Sequence, residues 1–167
     1  MKFFPRKMRT VTAAHTCEHS RRAVDLVNAR YEDRIEREQQ AAQEKATLIE
    51  QVSHRYYIAS AIVSAAFKDG VKPSSHMIGS MYGHIEALAA VTGRDSISVG
   101  YRMEHGLSLT DTTEMCVVDN NGTLPVILRE GSDVREPVSE RLARLHREAL
   151  RADNHPMFFA LYGQSAA

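Results

Sequence analysis

The chain has 167 residues, 43% hydrophobic and 25% charged, and its 21 basic residues balance its 21 acidic ones. One domain or at most two fit that length, and the composition is that of an ordinary soluble protein. No apolar run approaches the roughly 20 residues of a membrane span, and two distant cysteines, Cys17 and Cys116, exclude a disulfide framework.

The first segment, residues 1–15, reads as a basic arm. Lys2, Arg6, Lys7 and Arg9 surround Phe3 and Phe4 with no acidic residue among them. Phosphate contact with base stacking is chemically open to such a segment. Docking on a neighbouring subunit, with the phenylalanines filling a pocket, is the favoured reading; nucleic acid and a simple solvated tail are the equal alternatives. Met1 to Arg9 has no apolar h-region, so no secretory signal is expected and the setting is cytoplasmic or otherwise intracellular. Just beyond the arm, His15 and His19 have the four-residue spacing of a shared metal, with Cys17 and Glu18 between them. A tetrahedral site needs about four ligands, and no second cluster of matching spacing is present. No metal and no cofactor are therefore expected.

Between Pro5 and Gly70 there is neither glycine nor proline, whereas all nine glycines lie from Gly70 onward. These are the strongest helix breakers, so the spacing predicts one long helix from about Thr16 to Lys68. Ile35, Ala42, Ile49, Tyr56 and Val63 recur every seven residues, and Tyr31, Val52, Ala59 and Ala66 fill the complementary positions, with Glu38 and Lys45 as polar exceptions. Tyr31, Ile35, Ala42, Ile49, Val52, Tyr56 and Val63 are thus expected to form an oligomer seam of coiled-coil type. Such a helix would be roughly 80 Å long at about 1.5 Å per residue, against a radius of gyration of about 15 Å for a compact globule of this size. Unless it bends near Gln39 to Gln43, it has to protrude and find a partner.

A second helix is predicted from Ser74 or Ser75 to Thr92, stopped by Gly93. Ile78, Met81, Tyr82, Ile85, Leu88 and Ala89 follow the helical period, while Ser75, Gly79, Gly83 and Ala87 form a stripe of small residues. Two glycines in a helix cost about 1 kcal/mol each, so the stripe is expected to let this helix pack closely on Ser60, Ala61, Ser64 and Ala65 of the first; a ligand groove is the alternative.

Alternation of Ile97, Val99, Tyr101 and Met103 with polar residues and glycine predicts a half-buried strand. Thr113 to Asp119 and Thr123 to Arg129 flank Asn120-Asn121-Gly122, which predicts a hairpin. Met115 to Val118 is apolar on both faces and is expected to be central, with the strand of Pro125 at an edge. His105, with Asp111 and Glu114 downstream, carries the minor alternative of a small acid–base enzyme. There is no nucleophile signature, phosphate-binding glycine loop or zinc-protease pair, so no catalytic residue is assigned and no enzyme is expected.

Asp133 and Glu136 have capping-box spacing, Pro137 follows, and a third helix is expected to about Ala152 with Val138, Leu142, Leu145 and Ala149 buried. Arg141, Arg144, Arg147 and Arg151 line its other face as anion-binding candidates; pairing with Glu140 and Glu148 is the simpler account. Met157 to Tyr162 would close the chain as a strand or docked tail.

These elements make an α+β protein: a long N-terminal helix with a second helix packed on it, then a small antiparallel sheet with one covering helix. The expected division is an arm (1–15), a helical region (16–93) and a small α+β domain (94–167). Residues 1–30 carry a net charge of +5 and residues 74–167 one of −4, which favours head-to-tail contact between copies. The expected function is a non-enzymatic oligomeric structural or adaptor protein that joins a larger assembly through its helix and arm; a virion component would fit that description. A binding protein for an anionic ligand, nucleotide or nucleic acid is the second reading, and no membrane partner is expected.

Overall fold

A computed structural model describes residues 18–118, 125–132 and 135–163. The fold is α+β, with a long N-terminal helix, a second helix, and a three-stranded antiparallel sheet covered by a helix. None of the helices among the described residues is long and apolar enough to cross a membrane. The arm (Lys2, Phe3, Phe4, Arg6, Lys7, Arg9), the His15/Cys17 cluster and the Asn-Gly turn lie outside the described residues.

Helix α1 runs unbroken over Glu18–Lys68, as expected from a stretch with no glycine or proline. It stops where the Val71 N–H turns back to the Ala66 carbonyl at 2.8 Å and that of Gly70 to Phe67 at 3.1 Å, a Schellman closure. Helix α2, Ser75–Thr92, begins where the Ser74 hydroxyl accepts the Met77 N–H. It ends at Gly93, whose φ of 71° is a left-handed conformation that side chains disfavour.

The predicted strand over 97–103 is instead a helix, α3 (Ser96–Glu104), opened by Asp95, whose carboxylate accepts the Ser98 N–H at 2.7 Å. Alternation would place Ile97, Val99, Tyr101 and Met103 on one face. In fact Val99, Gly100 and Met103 are buried at helical spacing while Ile97 is 85% exposed and Tyr101 also faces water. The cap and the burial of positions 99, 100 and 103 outweighed the period-two pattern.

Strands β1 (Glu114–Val118), β2 (Pro125–Arg129) and β3 (Arg135–Pro137) pair antiparallel in the order β1-β2-β3. The hairpin strands are where the sequence placed them, but their roles are reversed: β2 is central and β1 an edge. Pro125 is tolerated because it opens β2, where a missing N–H costs little. The short β3 was not anticipated, and it takes Glu136 out of the predicted capping box; Asp133 is outside the described residues. Helix α4, Val138–Ala152, starts after Pro137 without a side-chain cap. The last element, α5 (Pro156–Tyr162), is a helix rather than a strand, and its start is held by His155 Nδ1 accepting the Met157 N–H.

The chain divides into two units, residues 1–42 and 43–167. In the first, the described helix is exposed at every position from residue 21 except Ile35, which is half-buried. In the second, Ile49, Tyr56 and Tyr57 of α1 form one core with Ile85 and Leu88 of α2, Val99 and Met103 of α3, and Ala149 of α4. Because that core joins α1 and α2 to α3 and α4, position 93/94 does not separate two cores. Burial pushes the Tyr56 hydroxyl up to about 12 and raises that of Tyr57 too. A smaller cluster of Leu107, Ile127 and Val138 lies between the sheet and α4.

Two expectations about helix faces change accordingly. Ile49 and Tyr56 lie in the chain's own core, Val52 packs against it, and Val63 is buried. Of the expected seam, Tyr31 and Ala42 are exposed and Ile35 is half-buried. The stripe of Ser75, Gly79, Gly83 and Ala87 is exposed, and a Cβ placed on Gly79 or Gly83 meets nothing within 4 Å. The close helix packing expected of it is not formed, because α2 turns its larger face, Ile85, Leu88 and Ala89, to the core, where more apolar area leaves water.

Candidate functional site

The densest polar constellation centres on Glu114, the first residue of β1, which is only 5% exposed. Arg141, one turn into α4, places Nη2 at 2.8 and 2.9 Å from its two carboxylate oxygens. The Ser108 N–H donates to Oε2 at 2.9 Å. Arg129, directly opposite Glu114 in the hairpin register, bridges it at 3.3 Å to Asp111 at 2.9 Å. Asp111 is itself held by the N–H and hydroxyl of Thr113. Glu136 on β3 accepts from both Arg141 and Arg144, at 3.4 and 3.0 Å. Arg102 of α3 donates to the backbone carbonyls of Ser108 and Asp111, at 2.7 Å each.

The electrostatics follow from these bonds. Burial opposes ionisation of Glu114, but the Ser108 N–H and the Arg141 and Arg129 guanidiniums outweigh it and lower its pKa. The Thr113 bonds lower that of Asp111, and hydrogen bonding to Glu136 raises that of Arg144. Carboxylates held ionised and already engaged by guanidiniums are poor general acids. Their work here is to clip the 105–113 loop, the sheet and α4 together. Arg141 Nε, buried and with no acceptor, is the one unsatisfied atom of this kind among the described residues.

The four candidate arginines therefore do not converge on an anion. Arg141 and Arg144 are engaged in the cluster, Arg147 lies over the Tyr162 ring at 5.6 Å, and Arg151 is exposed. Glu148 does pair with the row, to Arg144 at 3.6 Å. His105 donates from Nδ1 to the Tyr101 carbonyl at 2.8 Å and stacks on that ring, 4.3 Å between centroids. Its expected partners Asp111 and Glu114 are bonded elsewhere. His146 sits between α4 and α1, with Nε2 3.2 Å from the Ser60 hydroxyl, and burial lowers its pKa. Among the described residues no group of three or more His, Cys, Asp or Glu side chains could hold a metal ion.

Two open grooves flank this framework. One, of about 410 Å³, runs beside α1 over Ile49, Tyr57, Met103 and Leu145 and reaches Arg141. The other, of about 420 Å³, lies between α2 and α3 and is lined by Tyr82, Ile97 and Tyr101 with Glu86 and Glu104. The strand assignment hid Ile97 and Tyr101 from sequence reasoning, and Tyr82 was grouped with the apolar face of α2 although it is exposed. A third apolar surface belongs to the first unit: Val24, Leu26, Val27 and Tyr31 on α1 are 40–61% exposed.

Comparison with protein-family models, curated proteins and solved structures finds no match for this chain.

Proposed function

We propose that this chain is a non-enzymatic, self-associating structural or adaptor protein that enters a larger assembly through the first part of α1 and the basic arm. One observation carries the reading: on the part of α1 over residues 21–42, which is exposed except at half-buried Ile35, Val24, Tyr31, Ile35 and Ala42 fall on a heptad pattern. Val24 and Tyr31 are seven apart, Ile35 and Ala42 seven apart, and the two series are offset by four, the geometry of a coiled-coil seam. Asn28 takes the matching position before Ile35, and a polar residue there fixes register and copy number at some cost in stability. The opposite net charges of the chain's ends support association between copies. An intracellular setting suits the free thiol of Cys116.

Light scattering at micromolar concentration tests this. The native chain is expected to have a mass above that of one copy, and Val24→Asp with Tyr31→Asp to lower it while the core of residues 43–167 stays folded, since both side chains are exposed and outside that core. A native monomer, or a variant of unchanged mass, would overturn the proposal.

A further inference from the structure

The α2/α3 groove pairs an unusual apolar exposure with one sign of charge. Tyr82 from α2 and Ile97 and Tyr101 from α3 form its walls, exposed by 54%, 85% and 48%. Scattered exposed hydrophobics are normal; three around one concavity of about 420 Å³ have the size and character of a binding pocket. The groove is fixed in shape, because Gly100 lies against Ile85 at its floor and both helices are anchored in the core through Leu88, Val99 and Met103. Among the described residues, the charged side chains lining it are Glu86 and Glu104.

The sequence contains a segment of matching chemistry. Residues 2–9, Lys-Phe-Phe-Pro-Arg-Lys-Met-Arg, hold four cations, no acidic residue and two adjacent aromatics. Phenylalanine rings favour edge-to-face contact with tyrosines, and cations on either side of the pair can meet the two carboxylates. Pro5 lowers the conformational entropy that docking would remove. The geometry points to the α2/α3 groove as the receiving site for residues 2–9 of a second copy of this chain, with Phe3 and Phe4 between Tyr82, Ile97 and Tyr101 and the flanking cations near Glu86 and Glu104. This rests on the self-association proposed above, and it names the surface that the arm of one copy would use on the next. The sign of the charge argues against nucleic acid in this groove, since its carboxylates would repel phosphates.

Photo-cross-linking of the full chain tests the assignment. A benzophenone analogue replaces Phe4, and isotopically heavy and light chains are mixed before irradiation. Cross-links joining heavy to light chains at positions 82–101 are expected. They should be lost in Ile97→Lys, a change on an exposed side chain that leaves the core alone, and weakened by salt. They should also be lost in Lys2→Glu with Arg6→Glu and recovered when Glu86→Lys and Glu104→Lys are added. Cross-links confined to single chains, mapped elsewhere, or indifferent to Ile97→Lys would overturn the assignment. If light scattering shows an oligomer while residue 4 cross-links away from the groove, only this inference fails. If the native chain is a monomer, the self-association reading fails with it.

Discussion

Glu114 is a carboxylate in a place where apolar residues are usual, and its partners explain why it can stay there. A buried charge is tolerated when paired and hydrogen-bonded, and Glu114 has two guanidiniums and a backbone N–H. Removing one member is therefore worse than removing two. Glu114→Ala should lower the unfolding free energy in urea by about 3 kcal/mol, because it leaves Arg141, whose side chain is 16% exposed, without its main counter-charge. Glu114→Leu combined with Arg141→Met should cost less than Glu114→Ala alone. The acid response follows from the same groups. Burial lowers the pKa of His146 from its ordinary 6.5, and burial with nearby Arg55 lowers that of His84, so the unfolded chain takes up protons first as pH falls. Stability is whole above about pH 6.5 and declines below it. Glu114 acts in a lower window: its pKa is below the ordinary 4.5, so its contribution is whole above that pH and is lost as pH falls through the folded value. Thermal midpoints measured against pH should show both declines. His146→Gln should reduce the first to what His84 leaves, and Glu114→Gln should remove its share of the second. The Glu114–Arg129 pair was within reach of sequence reasoning, since a two-residue turn at Asn121-Gly122 would set those residues opposite each other. Arg141 and Glu136 were not, because their approach depends on how α4 crosses the sheet.

Among the elements, those with explicit start and stop chemistry were legible and those judged by period alone were not. Ser74 and Gly93 bound α2 where the sequence placed them, and the missing glycine and proline mark out α1. For α3 the alternating pattern points to a strand, the Asp95 cap goes unread, and nine residues are too few for periodicity to separate helix from strand. Mutations can verify the helical assignment: Met103→Ala should cost about 2 to 5 kcal/mol as a core truncation, whereas Ile97→Ser should stay within about 0.5 kcal/mol. A strand with both side chains on its buried face would make both costly. The small-residue stripe of α2 was misjudged for a related reason, as the sequence shows which residues share a face but not which face wins the core. With open space at both positions, Gly79→Ala and Gly83→Ala should each raise stability by about 0.5 to 1 kcal/mol through the helix preference for alanine. A lower denaturation midpoint in either variant would mean that the stripe is covered after all.

At the scale of the whole molecule, the heptad stripe along α1 serves two purposes. Its later positions, Ile49 and Tyr56, belong to the core of residues 43–167, so aspartate there should unfold the chain rather than dissociate an oligomer. Its earlier positions, Val24, Tyr31, Ile35 and Ala42, have no such cover among the described residues of 1–42. Isolated helices of modest length are marginal in water, and helices in proteins owe most of their stability to packing on an apolar face. The proposal that this face is an interface between copies thus makes helix formation over residues 24–42 depend on association. Amide hydrogen exchange across a concentration series tests that dependence most directly. Protection at residues 24–42 should rise with protein concentration while protection in α2 and around Val99 and Met103 stays constant. Exchange at 24–42 that is the same at every concentration would contradict it.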